Sequence, residues 1–121
     1  MNLEGLTILV LEDEPIIAMA LEENLEHAGA LPRVAGSIQH AAEILAAEAI
    51  DAAILDINVH GQKSYGIAES LIGKDVPFIF ASGYGGTVHQ DGFAHVPTVT
   101  KPYDLAAIQN AFGDAFAAKG G

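Results

Sequence analysis

The sequence predicts an α/β fold, a doubly wound five-stranded parallel sheet with helices on both faces. Three observations predict it. Short apolar or β-branched runs alternate with stretches of helical spacing, the order that gives parallel strands joined by right-handed crossovers. The first run, Leu6 to Leu11, is almost wholly apolar, as expected of a strand buried on both faces. At 121 residues the chain suits one core and is too short for two, so residues 1–121 are expected to form a single domain.

The elements follow in order. After the first strand, Pro15 takes a first helical position, Ile17, Leu21, Leu25 and Ala28 follow at helical spacing, and Gly29 ends the helix. Leu31 to Ala35 reads as a weak strand. Ser37 is placed to cap a helix with Ile38, Ala42, Leu45 and Ala49 on one side. Ala52 to Asp56 is a strand, and Tyr65 to Ile72 a helix with Ile67, Ala68, Leu71 and Ile72 inward. Phe78 to Ala81 and Thr98 to Thr100 are the last two strands. Asp104 caps the final helix, where Leu105, Ile108, Phe112 and Ala115 share a face. The repeat weakens between Ser82 and Pro97, where Gly83, Gly85, Gly86 and Gly92 would each cost a helix roughly 1 kcal/mol relative to Ala. The fourth helix is therefore expected to be short, frayed or absent.

Composition narrows the function. Five Lys and Arg against sixteen Asp and Glu give a net charge of −11, which argues against nucleic acid or an anionic membrane as a direct partner. With no cysteine, disulfides, thiolate metal sites and thiol catalysis are excluded. The N-terminus lacks the basic and apolar segments of a signal peptide, and no apolar run approaches the ~20 residues that span a bilayer. These features fit a cytoplasmic protein.

In doubly wound folds ligands bind beyond the carboxyl ends of the strands. Those ends carry Glu12 and Asp13, Asp56, Ser82 and Lys101. Each pair of like charges about 4 Å apart costs on the order of 4 kcal/mol at an effective dielectric of about 20, so three carboxylates there require a cation or a proton. An all-oxygen set suits Mg²⁺ rather than zinc. Mg²⁺ with Lys101 would balance the three anions, and such a site is equipped for phosphoryl transfer. Asp56, between neutral neighbours, is the best nucleophile. Glu12 and Asp13 read as metal ligands, Ser82 as a hydrogen-bond donor to a phosphoryl oxygen, and Gly83 leaves room for that oxygen.

These residues, in this order on five αβ repeats, resemble the receiver domain of two-component response regulators over essentially the whole chain. The resemblance implies a flavodoxin-like strand order 2-1-3-4-5, phosphorylation of Asp56, and metal binding by Glu12, Asp13, Asp56 and the Asn58 backbone carbonyl. It further implies that Ser82 stands at the switch Thr/Ser position, that Lys101 pairs with the phosphoryl group, and that the Lys101-Pro102 bond is cis. Phe80-Ala81-Ser82-Gly83-Tyr84 is similar to the Phe-Ala-Thr-Gly-aromatic motif of stand-alone alphaproteobacterial receivers, which share a degenerate fourth helix. One position departs. Thr98 stands where receivers usually carry an aromatic switch residue, and Tyr84 is the expected substitute.

The function implied is a single-domain response regulator, phosphorylated on Asp56 by a histidine kinase or a histidine phosphotransfer protein with Mg²⁺. Such a domain catalyses only its own phosphorylation and dephosphorylation. The chain ends just after the last helix, so output is expected through a downstream protein partner, kinase feedback or a phosphate-sink role. Blander readings stand beside these. Glu12-Asp13-Glu14 alone is also an acidic helix start, Asp56 alone a turn residue, and Lys101 alone a surface lysine. The Gly83 to Gly86 loop lacks a dinucleotide fingerprint, and Glu22, Glu23 and Glu26 suit a solvated helix face. His27, His40, His60, His89 and His95 show no ligand spacing and read as surface or loop residues, although His60 lies near the site. A Mg²⁺-dependent phosphatase with an aspartyl-phosphate intermediate is the alternative, disfavoured because no second acid stands two residues after Asp56. A flavodoxin-like cofactor binder is disfavoured by its acidic first βα turn.

Overall fold

Five strands, β1 (Thr7–Leu11), β2 (Leu31–Ala35), β3 (Ala52–Asp56), β6 (Phe78–Ser82) and β7 (Thr98–Thr100), pair in parallel in the order β2-β1-β3-β6-β7. Counting only these strands, that is the expected order 2-1-3-4-5. The computed structural model describes residues 1–82, 93, 95–101 and 104–120. Among them are the helices α1 (Pro15–His27), α2 (Ile38–Ala47), α3 (Tyr65–Gly73) and α4 (Leu105–Gly120), and a small antiparallel pair, β4 (Asn58–Val59) with β5 (Gln62–Lys63). The expected weak fourth helix with its four glycines, Tyr84 and the Lys101-Pro102 bond lie outside the described residues.

Alternate side chains of a strand point to opposite faces, and here both faces are apolar. Leu9, Leu11, Ala53, Leu55, Phe78 and Phe80 meet α2 and α3 in one core layer. Ile8, Val10, Ala52, Ile54, Ile79, Ala81 and Val99 meet α1 and α4 in the other. This two-sided burial explains why the inner strands read as near-continuous apolar runs. β2 is an edge strand. Its Leu31 N–H donates to the Leu6 carbonyl and its Ala35 carbonyl accepts from Glu12, so the backbone groups of Pro32 and Val34 point away from β1, and the N–H that Pro32 lacks costs the ladder nothing.

The helix ends follow local chemistry. Pro15 opens α1. At its other end Gly29 takes φ +85°, and Ala30 N–H reaches the Leu25 carbonyl at 3.0 Å, a left-handed termination that favours glycine. Ser37 Oγ accepts from His40 N–H at 3.1 Å, and Asp104 Oδ1 accepts from Ala107 N–H at 2.8 Å, so both expected caps form.

Two faces differ from expectation. α2 buries Ala41, Ile44 and Leu45, whereas Ala42 is exposed and Ala49 lies exposed beyond the helix. Its many alanines blur the apolar stripe, and the one large residue left out, Ile44, is what sets the face. Ile72 is exposed rather than inward, because α3 ends one residue later and none of the described elements covers its last turn on that side. Ile17 and Leu105 are only half-buried. The β4–β5 hairpin was not anticipated. It turns on His60 (φ 50°) and Gly61 (φ 79°), the pair of left-handed residues that a two-residue hairpin loop requires.

Candidate functional site

Parallel pairing in register brings the carboxyl ends of the strands to one rim. Leu11 lies beside Ala35 and Leu55, Asp56 beside Ala81, and Ser82 beside Thr100. The residues that follow must therefore converge. Glu12, Asp13 and Asp56 each offer a carboxylate oxygen, all within 4.8 Å of one another. Lys101 enters from the end of β7, where its N–H bonds the Ser82 carbonyl at 2.7 Å. Its Nζ lies 2.6 Å from Glu12 Oε1, 3.0 Å from Asp56 Oδ2 and 4.0 Å from Glu14 Oε1.

Burial makes these charges matter. Glu12 is 2% and Asp56 7% exposed, so neither is well screened by water. Burial pushes the Asp56 carboxyl up to about 6, with the Glu12 charge adding to the rise and the Lys101 hydrogen bond opposing it. Burial pulls Lys101 down, but its hydrogen bonds to Glu12 and Asp56 outweigh that and hold it above the ordinary lysine value. Burial also pushes Asp13 up, yet the backbone N–H of His60 and a hydrogen bond with Glu12 prevail and its carboxyl sits low.

Glu12 and Asp56 share the Lys101 ammonium, with Glu14 4.0 Å from it and Asp13 beside them, so negative charge exceeds positive at the rim. The Lys101 ammonium already stands in as a cation between Glu12 and Asp56. The donor set is entirely oxygen and suits a hard divalent ion such as Mg²⁺. The residues present fit such an ion.

The other sequence-predicted positions fall around this cluster. Asn58 is exposed at the start of β4, two residues past Asp56 and paired with Lys63. Ser82 is buried at the end of β6. Thr98, at the start of β7, is exposed, with Oγ1 3.5 Å from the Val96 carbonyl. Glu14 was missed as a contributor, and His60 was placed near the site without a role there. Glu14, read with the helix start, approaches Lys101. His60, read as a loop residue, donates its N–H to Asp13 Oδ2 at 2.9 Å and places Nε2 3.0 Å from the Gly36 carbonyl. The signal for it was Val59-His60-Gly61-Gln62, two residues able to turn a hairpin.

No protein-family model matches the chain. The solution structure of SdrG from Sphingomonas melonis Fr1 is 35% identical, with a TM-score of 0.83 over 96% of this chain and 99% of that one. A second structure, the BeF3-activated conformation of SdrG from Pseudomonas melonis Fr1, is 36% identical, with a TM-score of 0.76 over 89% and 93% of the two chains. The REC domain of the PhyR response regulator from Erythrobacter litoralis is 26% identical, with a TM-score of 0.75 over 94% of this chain and 92% of that one. An NtrX-like response regulator of Rickettsia typhi is 33% identical over 84 residues, 66% of this chain. The chain spans 18% of the length of that curated relative. The chain belongs to the response regulator receiver domains of two-component signalling. It is a signalling domain rather than a classical enzyme, and none of its described helices is long and apolar enough to cross a membrane.

Proposed function

We propose that this chain, over residues 1–121, is a receiver domain that accepts a phosphoryl group on Asp56. The observation that carries the reading is the meeting of Glu12, Asp13, Asp56 and Lys101 at one rim from three separate strand ends. The BeF3-activated conformation of SdrG supports it, since beryllofluoride resembles a phosphoryl group on a carboxylate.

Each residue has a part. One Asp56 carboxylate oxygen attacks phosphorus; a P–O bond forms as the bond to the donor's imidazole nitrogen breaks. Lys101 turns from Asp56 to the phosphoryl oxygens and offsets their charge, and Ser82 hydrogen-bonds one of them. Glu12, Asp13, Asp56 and the Asn58 carbonyl would hold Mg²⁺, which would supply charge neutralisation at the phosphoryl oxygens and among the carboxylates. The donor is a histidine kinase or a histidine phosphotransfer protein of the cytoplasm, and the domain catalyses only the gain and loss of its own phosphoryl group. Its output is binding of a protein partner or drainage of phosphate from a relay. With Thr98 in place of an aromatic switch residue, Tyr84 is the substitute. The phosphatase alternative draws no support from the relatives.

The test is incubation with a small-molecule phosphodonor and Mg²⁺, followed by intact mass. The expected result is a gain of one hydroxylamine-labile phosphoryl group in the wild type and none in Asp56→Asn or with a chelator. Equal labelling of both proteins would place the acceptor elsewhere and overturn the reading.

A further inference from the structure

The β4–β5 hairpin does more than connect β3 to α3. Its turn residue, His60, joins two other loops of the rim. The left-handed backbone at His60 (φ 50°) aims its N–H at Asp13 Oδ2, 2.9 Å away. Its ring lies across the β2–α2 loop with Nε2 3.0 Å from the Gly36 carbonyl and Nδ1 3.8 Å from the same Asp13 oxygen. A carbonyl only accepts, so Nε2 carries the hydrogen. Gly36 is itself held on both sides. Before it, the Ala35 carbonyl accepts the Glu12 N–H at 3.0 Å; after it, Ser37 caps α2. The ring therefore anchors the hairpin tip to a fixed point, and the tip fixes one oxygen of Asp13.

We infer that His60 is a positioning residue for Asp13: its ring, bound to the Gly36 carbonyl, holds the hairpin so that its N–H locks the Asp13 carboxylate beside Glu12 and Asp56. This rests on the metal-dependent reading given above and adds a determinant of cation affinity. A carboxylate free to rotate must be ordered when the ion arrives. Here one oxygen is already committed to the hairpin, leaving the group prearranged for the shared position. Hydrogen bonds from outside the ligand set typically change metal affinity by 10- to 100-fold. A ring this exposed belongs toward the low end.

The experiment compares wild type, His60→Gly and His60→Asn by Mg²⁺ titration calorimetry, urea unfolding, and amide exchange at residue 60 in metal-free protein. Glycine keeps the left-handed turn and the N–H but removes the ring; asparagine tolerates the turn and supplies a shorter amide donor. The expected result is about tenfold weaker Mg²⁺ binding in His60→Gly, faster exchange of the residue 60 amide, and partial rescue by His60→Asn. A lowered unfolding midpoint with unchanged Mg²⁺ affinity and exchange would reveal a merely structural ring and overturn the inference, leaving Asp56 phosphorylation untouched. A wild type that binds no Mg²⁺ would overturn both the inference and the metal-dependent reading beneath it.

Discussion

Asp56 is held in a state that the fold does not favour. Its folded pKa of about 6 lies above the ordinary 3.8, so the folded state takes up a proton more readily than the unfolded chain. The sign follows from linkage. The stabilisation from a protonated Asp56 is complete below about pH 4 and is lost as pH rises through 6. Every tenfold difference in proton affinity between the two states is worth about 1.4 kcal/mol. In metal-free protein Asp56→Asn, which cannot ionise, should therefore be more stable than wild type at pH 7 by about 1–3 kcal/mol. The difference should disappear near pH 4. Urea unfolding at the two pH values checks this, and a variant less stable than wild type at pH 7 would contradict it. The same substitution should weaken stabilisation by Mg²⁺, because it removes one of the three carboxylates proposed to hold the ion. At this scale the sequence was informative for a physical reason. Glu12 and Asp56 stand directly after or at the ends of apolar strands, a contrast visible without coordinates, and Lys101 follows the short strand Thr98–Thr100. His60 was hidden because its contribution runs largely through a backbone N–H, which every residue but proline possesses.

Helices and turns show where patterning carries information and where it fails. β1, β3 and β6 were legible because both their faces are buried and leave near-continuous apolar runs. α1 was legible because Pro15 and Gly29 bracket it. α2 was not oriented correctly, since Ala41, Ala42, Ala46 and Ala47 give nearly equal apolar signal around its circumference. The hairpin was lost because two-residue strands are too short for a period to register. The termination of α1 yields a direct test. Gly29 sits at φ +85°, and a Cβ there would approach Glu4 Cγ to 3.0 Å. A left-handed backbone costs a non-glycine residue about 1–2 kcal/mol. Gly29→Ala is expected to destabilise the protein by that amount with no change in Mg²⁺ affinity, read by urea unfolding and calorimetry; a neutral effect would mean that the turn relaxes at no cost.

Across the whole molecule, the parallel sheet separates two tasks. Its two apolar faces, each covered by helices, supply stability, while the carboxyl ends of the strands gather charged groups that burial alone would oppose. Fold class followed from the alternation of elements, strand order from the resemblance to receiver domains, and the rim from the fold class. Among the described residues the sheet also has an edge at β2, and there the backbone of Pro32 points away from β1. Pro32→Val is expected to leave the fold intact but to promote self-association at high protein concentration, measured by light scattering; scattering equal to that of the wild type would show that charge repulsion suffices. Proline thus acts as a gatekeeper. A foreign chain seeking to extend the ladder at that border meets a residue with no hydrogen to give, so this chain is poorly suited to templating β-aggregation.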